Sequence, residues 1–161
     1  MEKSENKILI LGVGNEILMD DGIGPKLVKE LHKENLRDDI KYDTAFMGGL
    51  EILEYIQGYE IVIFIDAMIT RDGIPGTVYQ FTTDDFKETL HLTSLHDASF
   101  LTAIELGRNI GYDIPEKIHI IAVEIVEDKV FGIEFTKPLQ EKYPEIIKTV
   151  NKLVRSFLNM K

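Results

Sequence analysis

The sequence predicts an α/β fold of three layers, with helices on both faces of a mostly parallel sheet of about five strands. Two observations support this prediction. Apolar runs and amphipathic segments alternate along the whole chain. The most hydrophobic run, residues 61–65, has no polar residue within it, as expected of a strand buried on both faces. No repeat, low-complexity stretch or linker divides residues 1–161, and we interpret them as one domain.

The chain begins with a predicted strand, loop and helix. The strand is the apolar run 8–11, the loop contains Gly12 and Gly14, and the helix has apolar residues at helical spacing, which are Leu27, Val28 and Leu31. The two glycines suggest a dinucleotide-binding loop. Ile17 argues against that function, because it occupies the position where G-x-G-x-x-G requires its last glycine.

Asp20 and Asp21 also disfavour a nucleotide. They lie where a pyrophosphate would meet the helix N-terminus, and two carboxylates there would repel it. The loop is therefore better suited to a cation or a polar peptide. An aspartate before a helix is also a common N-cap, and we expect one of the two to cap this helix.

The later elements follow in alternation. We predict strands over residues 40–45, 61–65, 77–81 and 117–123, with 77–81 as the antiparallel edge strand. Residues 82–95 are polar, and we predict a short helix and an open loop for them. The other predicted helices contain Leu50 to Ile56, Phe100 to Leu106, and Ile146 to Phe157, the last of them interrupted at Pro144.

Composition excludes several kinds of protein. The net charge of -10 disfavours nucleic acids and anionic membrane surfaces. The chain has no cysteine, which excludes disulfides, thiol catalysis and thiolate metal sites. No apolar run approaches the roughly 20 residues that span a bilayer, and residues 1–6 do not resemble a signal peptide. We therefore expect a cytoplasmic protein.

Three polar residues are candidates for chemistry. In an open α/β sheet, ligands bind outside the carboxyl ends of the strands. Asp21 follows the first predicted strand, Asp66 ends the third, and His96 precedes a helix. Two carboxylates and an imidazole could bind a divalent metal and leave positions open. From the residues alone, several alternatives remain: Glu16 and Asp20 compete with Asp21, and His91 competes with His96.

Other histidines and motifs are less informative. His119 lies in a predicted buried strand, and His32 lies on a helix where we expect it to be solvated. The sequence lacks H-E-x-x-H, the phosphate-binding P-loop and G-x-S-x-G. Gly48 and Gly49 either let a peptide backbone approach closely or form an ordinary turn.

Taken together, these motifs resemble the NiFe-hydrogenase maturation endopeptidases of the HybD and HycI type. The resemblance covers nearly the whole chain and implies a phosphorylase/hydrolase-like fold. The matching segments, in the family's order, are residues 10–15, 20–24, 49–53, 65–67, 75–77 and 94–96.

The resemblance implies that Asp21, Asp66 and His96 contact nickel, and that Asp21 rather than Asp20 is the ligand. It also implies removal of a C-terminal extension from the hydrogenase large-subunit precursor after nickel insertion. Nickel would arrive with the substrate, so we expect no tightly bound metal in the isolated protein. We expect a monomer when free. Either Asp21 or Asp66 as a general base, or substrate nickel as a Lewis acid, could assist the attack of water.

Two functions of other classes remain open at this point. One is a non-catalytic flavodoxin-like binding module, which bound nucleotide or flavin would favour. The other is a self-sufficient metallohydrolase, which a tightly bound metal would favour.

Overall fold

The computed structural model describes residues 6–46, 51–92 and 100–160. It contains a five-stranded sheet with the order β2-β1-β3-β5-β4. Its strands are β1 (Ile8–Val13), β2 (Ile40–Ala45), β3 (Ile61–Met68), β4 (Val78–Thr82) and β5 (Lys117–Glu124). The predicted α/β fold with a mostly parallel sheet is confirmed. Among the helices of these described ranges, none is both long enough and apolar enough to cross a membrane.

The strand order creates a switch point between β1 and β3. Strand β1 pairs in parallel with β2 on one side and with β3 on the other, and β3 pairs in parallel with β5. Strand β4 lies at the edge and runs antiparallel to β5, as the sequence predicted. The crevice beyond the carboxyl ends of β1 and β3 is therefore the expected ligand position in this fold.

Helices cover both faces of the sheet and produce two cores. They are α1 (Ile23–Glu34), α2 (Glu51–Ile56), α3 (Phe100–Asn109) and α4 (Lys137–Phe157). Helices α1 and α4 contribute to one apolar cluster, which includes Leu27 and Val150. Helices α2 and α3 contribute to the other, which includes Ile52 and Ile104. Each helix thus directs its apolar stripe towards the sheet.

Two glycines allow α1 to lie directly against the sheet. A Cβ atom on Gly24 would lie 2.4 Å from the carbonyl oxygen of Ile65 in β3. One on Gly12 in β1 would lie 2.5 Å from the carbonyl oxygen of Gly24. Any larger residue at these positions would push the helix away from the strands, so the two glycines fix the distance between helix and sheet.

Three predictions about element boundaries were wrong. Pro144 does not interrupt α4, which is continuous and places Pro144 on its exposed surface. Asp66 does not end β3, because the strand continues to Met68. The short helix predicted within residues 82–95 is absent from the described part of that segment, where Thr82 ends β4 and residues 83–92 form no helix. In α4 the burial of an apolar face outweighs the lost hydrogen bond at proline.

Candidate functional site

The candidate site lies at the switch point between β1 and β3. The pairing of β1 with β3 ends at Gly12 and Ile65. Asp66, the next residue of β3, is paired with β5 on its other side, and its side chain is fully buried. It therefore lies beside the point where the chain leaves β1 for the loop that carries Asp21.

A tight turn after β1 places Asp21. Gly14 has a φ of 148°, and a Cβ atom there would lie 2.1 Å from the carbonyl oxygen of Asp21. The N–H of Asn15 donates to Oδ2 of Asp21 over 3.0 Å. Asp21 itself belongs to a short 3-10 turn, Met19–Gly22, and is almost completely buried. The glycine is thus needed for the close approach that folds the turn back onto the aspartate.

His91 connects the two aspartates. Its ring Nε2 lies 2.7 Å from Oδ1 of Asp21. Its backbone N–H donates to Oδ2 of Asp66 over 2.8 Å. One residue therefore holds both carboxylates, through its side chain on one side and its backbone on the other. From the sequence, His91 was only an alternative to His96, because no local sequence feature indicates which loop histidine reaches the aspartates.

The carboxyl group of Asp66 is satisfied but holds its proton more tightly than usual. It accepts hydrogen bonds from the N–H groups of Ala67 and His91 and from the side chain of Thr89. Burial disfavours its charged form, and the charge of His91 and these hydrogen bonds offset that effect only in part. The net result of burial and these opposing interactions is a pKa of Asp66 raised from 3.8 to about 6.

The imidazole of His91 is shifted towards its charged form. Burial alone would lower its pKa, but the hydrogen bond to Asp21 and the charges of Asp66, Asp21 and Asp128 outweigh burial. The pKa of His91 is consequently raised above its ordinary value of 6.5. The site therefore stabilises the charged form of the His91 ring relative to a free imidazole, mainly through its hydrogen bond to Asp21.

Asp20 has a structural task, and neither aspartate caps α1. The helix has Gly22 as its N-cap and receives no side-chain hydrogen bond there, so the predicted cap was wrong. Asp20 instead accepts hydrogen bonds from the N–H groups of Val126, Glu127 and Thr136, and from the Thr136 hydroxyl. Its carboxylate is fully buried and anchors the connection between β5 and α4.

Other candidates are assigned by their contacts. Glu16 forms an ion pair with Lys29 at 2.7 Å, in a partly exposed position. His32 is exposed, as predicted, and stacks on Tyr42. His119 lies in β5, is half-buried, and stacks on Phe157. These contacts give Glu16 and the two histidines surface or packing functions.

Three predicted site residues, Gly48, Gly49 and His96, lie outside the described residues. Within the described ranges, no three His, Asp or Glu side chains are arranged to hold a metal ion. Asp21 and Asp66 are both contacted by His91, through its ring and its backbone N–H respectively, near the carboxyl ends of β1 and β3. Their oxygens could accept a proton from water or bind a cation that brings further ligands of its own.

The comparisons with known proteins agree with this architecture. A family model described as hydrogenase maturation protease matches residues 25–153. A putative hydrogenase maturation protease of Methanocaldococcus jannaschii is 30% identical over 94% of each chain. The hydrogenase expression/formation protein HupD of Rhizobium leguminosarum bv. viciae is 26% identical, over 94% of this chain and 75% of HupD.

A solved structure shares the fold. The hydrogenase maturating endopeptidase HybD from Escherichia coli superposes with a TM-score of 0.68 over 93% of each chain, at 24% sequence identity. That likeness concerns the fold, while the family model covers most of the sequence. The chain belongs to the hydrogenase maturation protease family.

Proposed function

We propose that this protein is the endopeptidase that removes the C-terminal extension of a NiFe-hydrogenase large-subunit precursor once nickel has been inserted. Asp21, Asp66 and His96 would contact the nickel that the precursor carries. Membership of the hydrogenase maturation protease family supports the reaction class. It also disfavours the non-catalytic binding module.

The contact of His91 with both Asp21 and Asp66 carries this proposal. Asp21 lies in the 3-10 turn after β1 and Asp66 lies in β3, and the two contacts measure 2.7 Å and 2.8 Å. Two buried carboxylates at one place are costly unless they are used, because burial penalises each charge. Their position at the switch point is the usual ligand site of an open α/β sheet.

Nickel delivered by the substrate explains how the site could act as a checkpoint. Carboxylate and imidazole donors bind nickel, and an incomplete set leaves positions for ligands from the precursor. A precursor without nickel would forfeit these contacts and bind less well. In this proposal Gly48 and Gly49 let the peptide backbone approach the site closely.

Hydrolysis needs a base, and either Asp21 or Asp66 could serve as one when it is not bound to nickel. A carboxylate would take a proton from water, and the resulting hydroxide would attack the peptide carbonyl carbon. The C–N bond would then break as the carboxylic acid returns that proton to the leaving amine. Burial raises the pKa of Asp66 to about 6, which favours proton acceptance by its carboxylate near neutral pH. Asp21 contacts the ring of His91.

The experiment is processing of purified precursor, loaded with nickel or nickel-free. We expect wild-type protein to cleave only the loaded precursor, and Asp21→Asn and His96→Ala to lose at least about 100-fold in rate because each removes a nickel contact. The product is measured by mass spectrometry of both fragments. His32→Ala, which changes an exposed histidine on α1, is the matched control and should cleave normally.

Two results would refute the proposal. One is equal cleavage of nickel-free and nickel-loaded precursor by the wild-type protein. The other is normal cleavage of loaded precursor by both site variants. A tightly bound metal in the protein purified alone would instead favour the self-sufficient metallohydrolase.

A further inference from the structure

Four large apolar side chains are exposed beside the candidate site. They form what we call the apolar ridge, which consists of Ile17, Val130, Phe131 and Ile133. Each exposes more than half of its surface, from 51% at Val130 to 78% at Phe131. Large apolar side chains concentrated on one surface commonly mark a binding site for a protein or a membrane.

The ridge is built from two loops that pair with each other. Leu18 and Gly132 form a β-bridge. The N–H of Gly132 donates to the carbonyl oxygen of Ile17 over 2.9 Å, and the N–H of Met19 donates to the carbonyl oxygen of Gly132 over 2.8 Å. Ile17 adjoins Leu18, and Phe131 and Ile133 flank Gly132, so the bridge brings these three exposed residues close together.

The backbone under the ridge is fixed at several points. Residues 125–136 contain no helix or strand, but Asp20 binds both ends of this segment. Lys26 Nζ donates to the carbonyl oxygen of Ile133 over 2.6 Å. A buried carboxylate and an ammonium group thus order an irregular loop that buries Ile125 and Phe135 in the core but leaves the side chains of Val130, Phe131 and Ile133 largely exposed. Such preorganisation lowers the entropy lost when a partner binds.

The ridge and the candidate site share one turn of the chain. Ile17 and Asp21 lie in the same loop, in which the N–H of Asp21 donates to the carbonyl oxygen of Leu18. On the other loop, Asp128 is close enough to His91 to help raise its pKa. A protein whose peptide bond lies at Asp21 would therefore lie close to the ridge.

We infer that the apolar ridge is the docking surface for the precursor, and that it binds an apolar patch next to the scissile peptide. This inference rests on the proposed function. Aromatic and large aliphatic anchors beside a site carry much of the affinity in protein interfaces. Three acidic residues border the ridge, Glu127, Asp128 and Glu134, against the two basic residues Lys26 and Lys129, so the patch on the precursor should carry more basic than acidic side chains at its edge.

The test compares two double variants. Phe131→Ser with Ile133→Ser removes two side chains of the ridge. Leu106→Ser with Ile110→Ser is the matched control, since these exposed apolar residues lie near the start of β5, at the opposite end of the sheet. KM and kcat are measured with nickel-loaded precursor, Kd by titration with the same precursor, and oligomeric state by sedimentation velocity.

We expect the ridge variant to raise KM and Kd at least about tenfold, with kcat within about twofold of wild type, because docking is weakened while the site is intact. The control should change each value by less than about twofold. Phe131→Leu, which retains an apolar side chain, should recover most of the affinity. If the ridge variant unfolds, Phe131→Ser alone provides the same comparison.

Three outcomes would overturn the inference. The first is a ridge variant with wild-type KM and Kd, and the second is equal loss in the control. The third is a wild-type dimer that the ridge variant dissociates, which would make the ridge an interface between copies of this chain. If wild-type protein binds the precursor through the ridge but cleaves neither form of it, the proposed function fails while the docking surface stands.

Discussion

Adjacent aspartates perform different tasks in this molecule. Asp20 accepts four hydrogen bonds from the connection between β5 and α4, whereas Asp21 contacts the ring of His91. We predict that Asp20→Ala lowers the free energy of unfolding by about 3 kcal/mol or more, because it leaves three N–H groups and a hydroxyl without their acceptor. Urea unfolding followed by circular dichroism measures this change.

Asp84→Ala is the control for that substitution. Asp84 is exposed, so its removal should alter the free energy of unfolding by less than about 0.5 kcal/mol. A similar small change for Asp20→Ala would contradict the anchoring task. The sequence could place both aspartates at the carboxyl edge, but not distinguish them, since the partners of Asp20 lie more than 100 residues away.

The pKa of Asp66 predicts a dependence of stability on pH. Its pKa is about 6 in the folded protein, compared with an ordinary value of 3.8, and burial is the main cause of the increase. Between these values the folded state binds more protons than the unfolded state, so stability falls as pH rises through this window. The loss from this group is about 3 kcal/mol, from about 1.4 kcal/mol per pKa unit.

Asp66→Asn isolates this effect, because asparagine does not titrate. As pH rises from about 4 to about 7, the free energy of unfolding of the wild type should fall relative to that of Asp66→Asn. Urea unfolding at several pH values measures it. A difference that stays constant over that range would show that the pKa of Asp66 is not raised.

At the scale of elements, the contact between α1 and the sheet depends on glycine. We predict that Gly24→Ala lowers the free energy of unfolding by about 2 kcal/mol, although alanine favours helices. The reason is that its Cβ would lie 2.4 Å from a backbone oxygen of β3, which cannot move away cheaply. Thermal and urea unfolding measure the change.

Gly107→Ala in α3 is the matched control. Its Cβ would lie 3.0 Å from Cδ1 of Ile114, the end of a flexible side chain that can turn aside. We expect the free energy of unfolding to change by less than about 0.5 kcal/mol. Moving the Ile114 side chain aside destabilises the variant, whereas the higher helix propensity of alanine stabilises it. Equal destabilisation by both variants would mean that glycine is needed in α3 as much as in α1.

Elements were more predictable from the sequence than their exact ends. The mostly parallel sheet could be expected because continuous apolar runs such as residues 61–65 identify buried parallel strands. The continuation of β3 past Asp66 could not be predicted. A buried carboxyl group inside a strand is unfavourable unless it has hydrogen-bond partners, and the sequence does not identify those partners. Those partners, Thr89 and His91, come from a segment without regular structure.

Over the whole molecule, the net charge of -10 should weaken the folded state at low ionic strength. Like charges repel one another most in the compact state, and salt screens them over a distance of about 10 Å at about 0.1 M. The ion pairs of the described residues that salt would also weaken, such as Lys29 with Glu16, are largely exposed and contribute little. Repulsion should therefore dominate the effect of salt.

We predict that the melting temperature rises by several degrees between about 10 mM and about 150 mM sodium chloride at about pH 7, as measured by calorimetry. Near pH 4.8, where the sequence has no net charge, the same addition of salt should raise it much less, because there is little net repulsion to screen. A melting temperature that falls with salt at neutral pH would show that attractive pairs outweigh the net charge. The acidic surface would then stabilise the fold locally instead of opposing it.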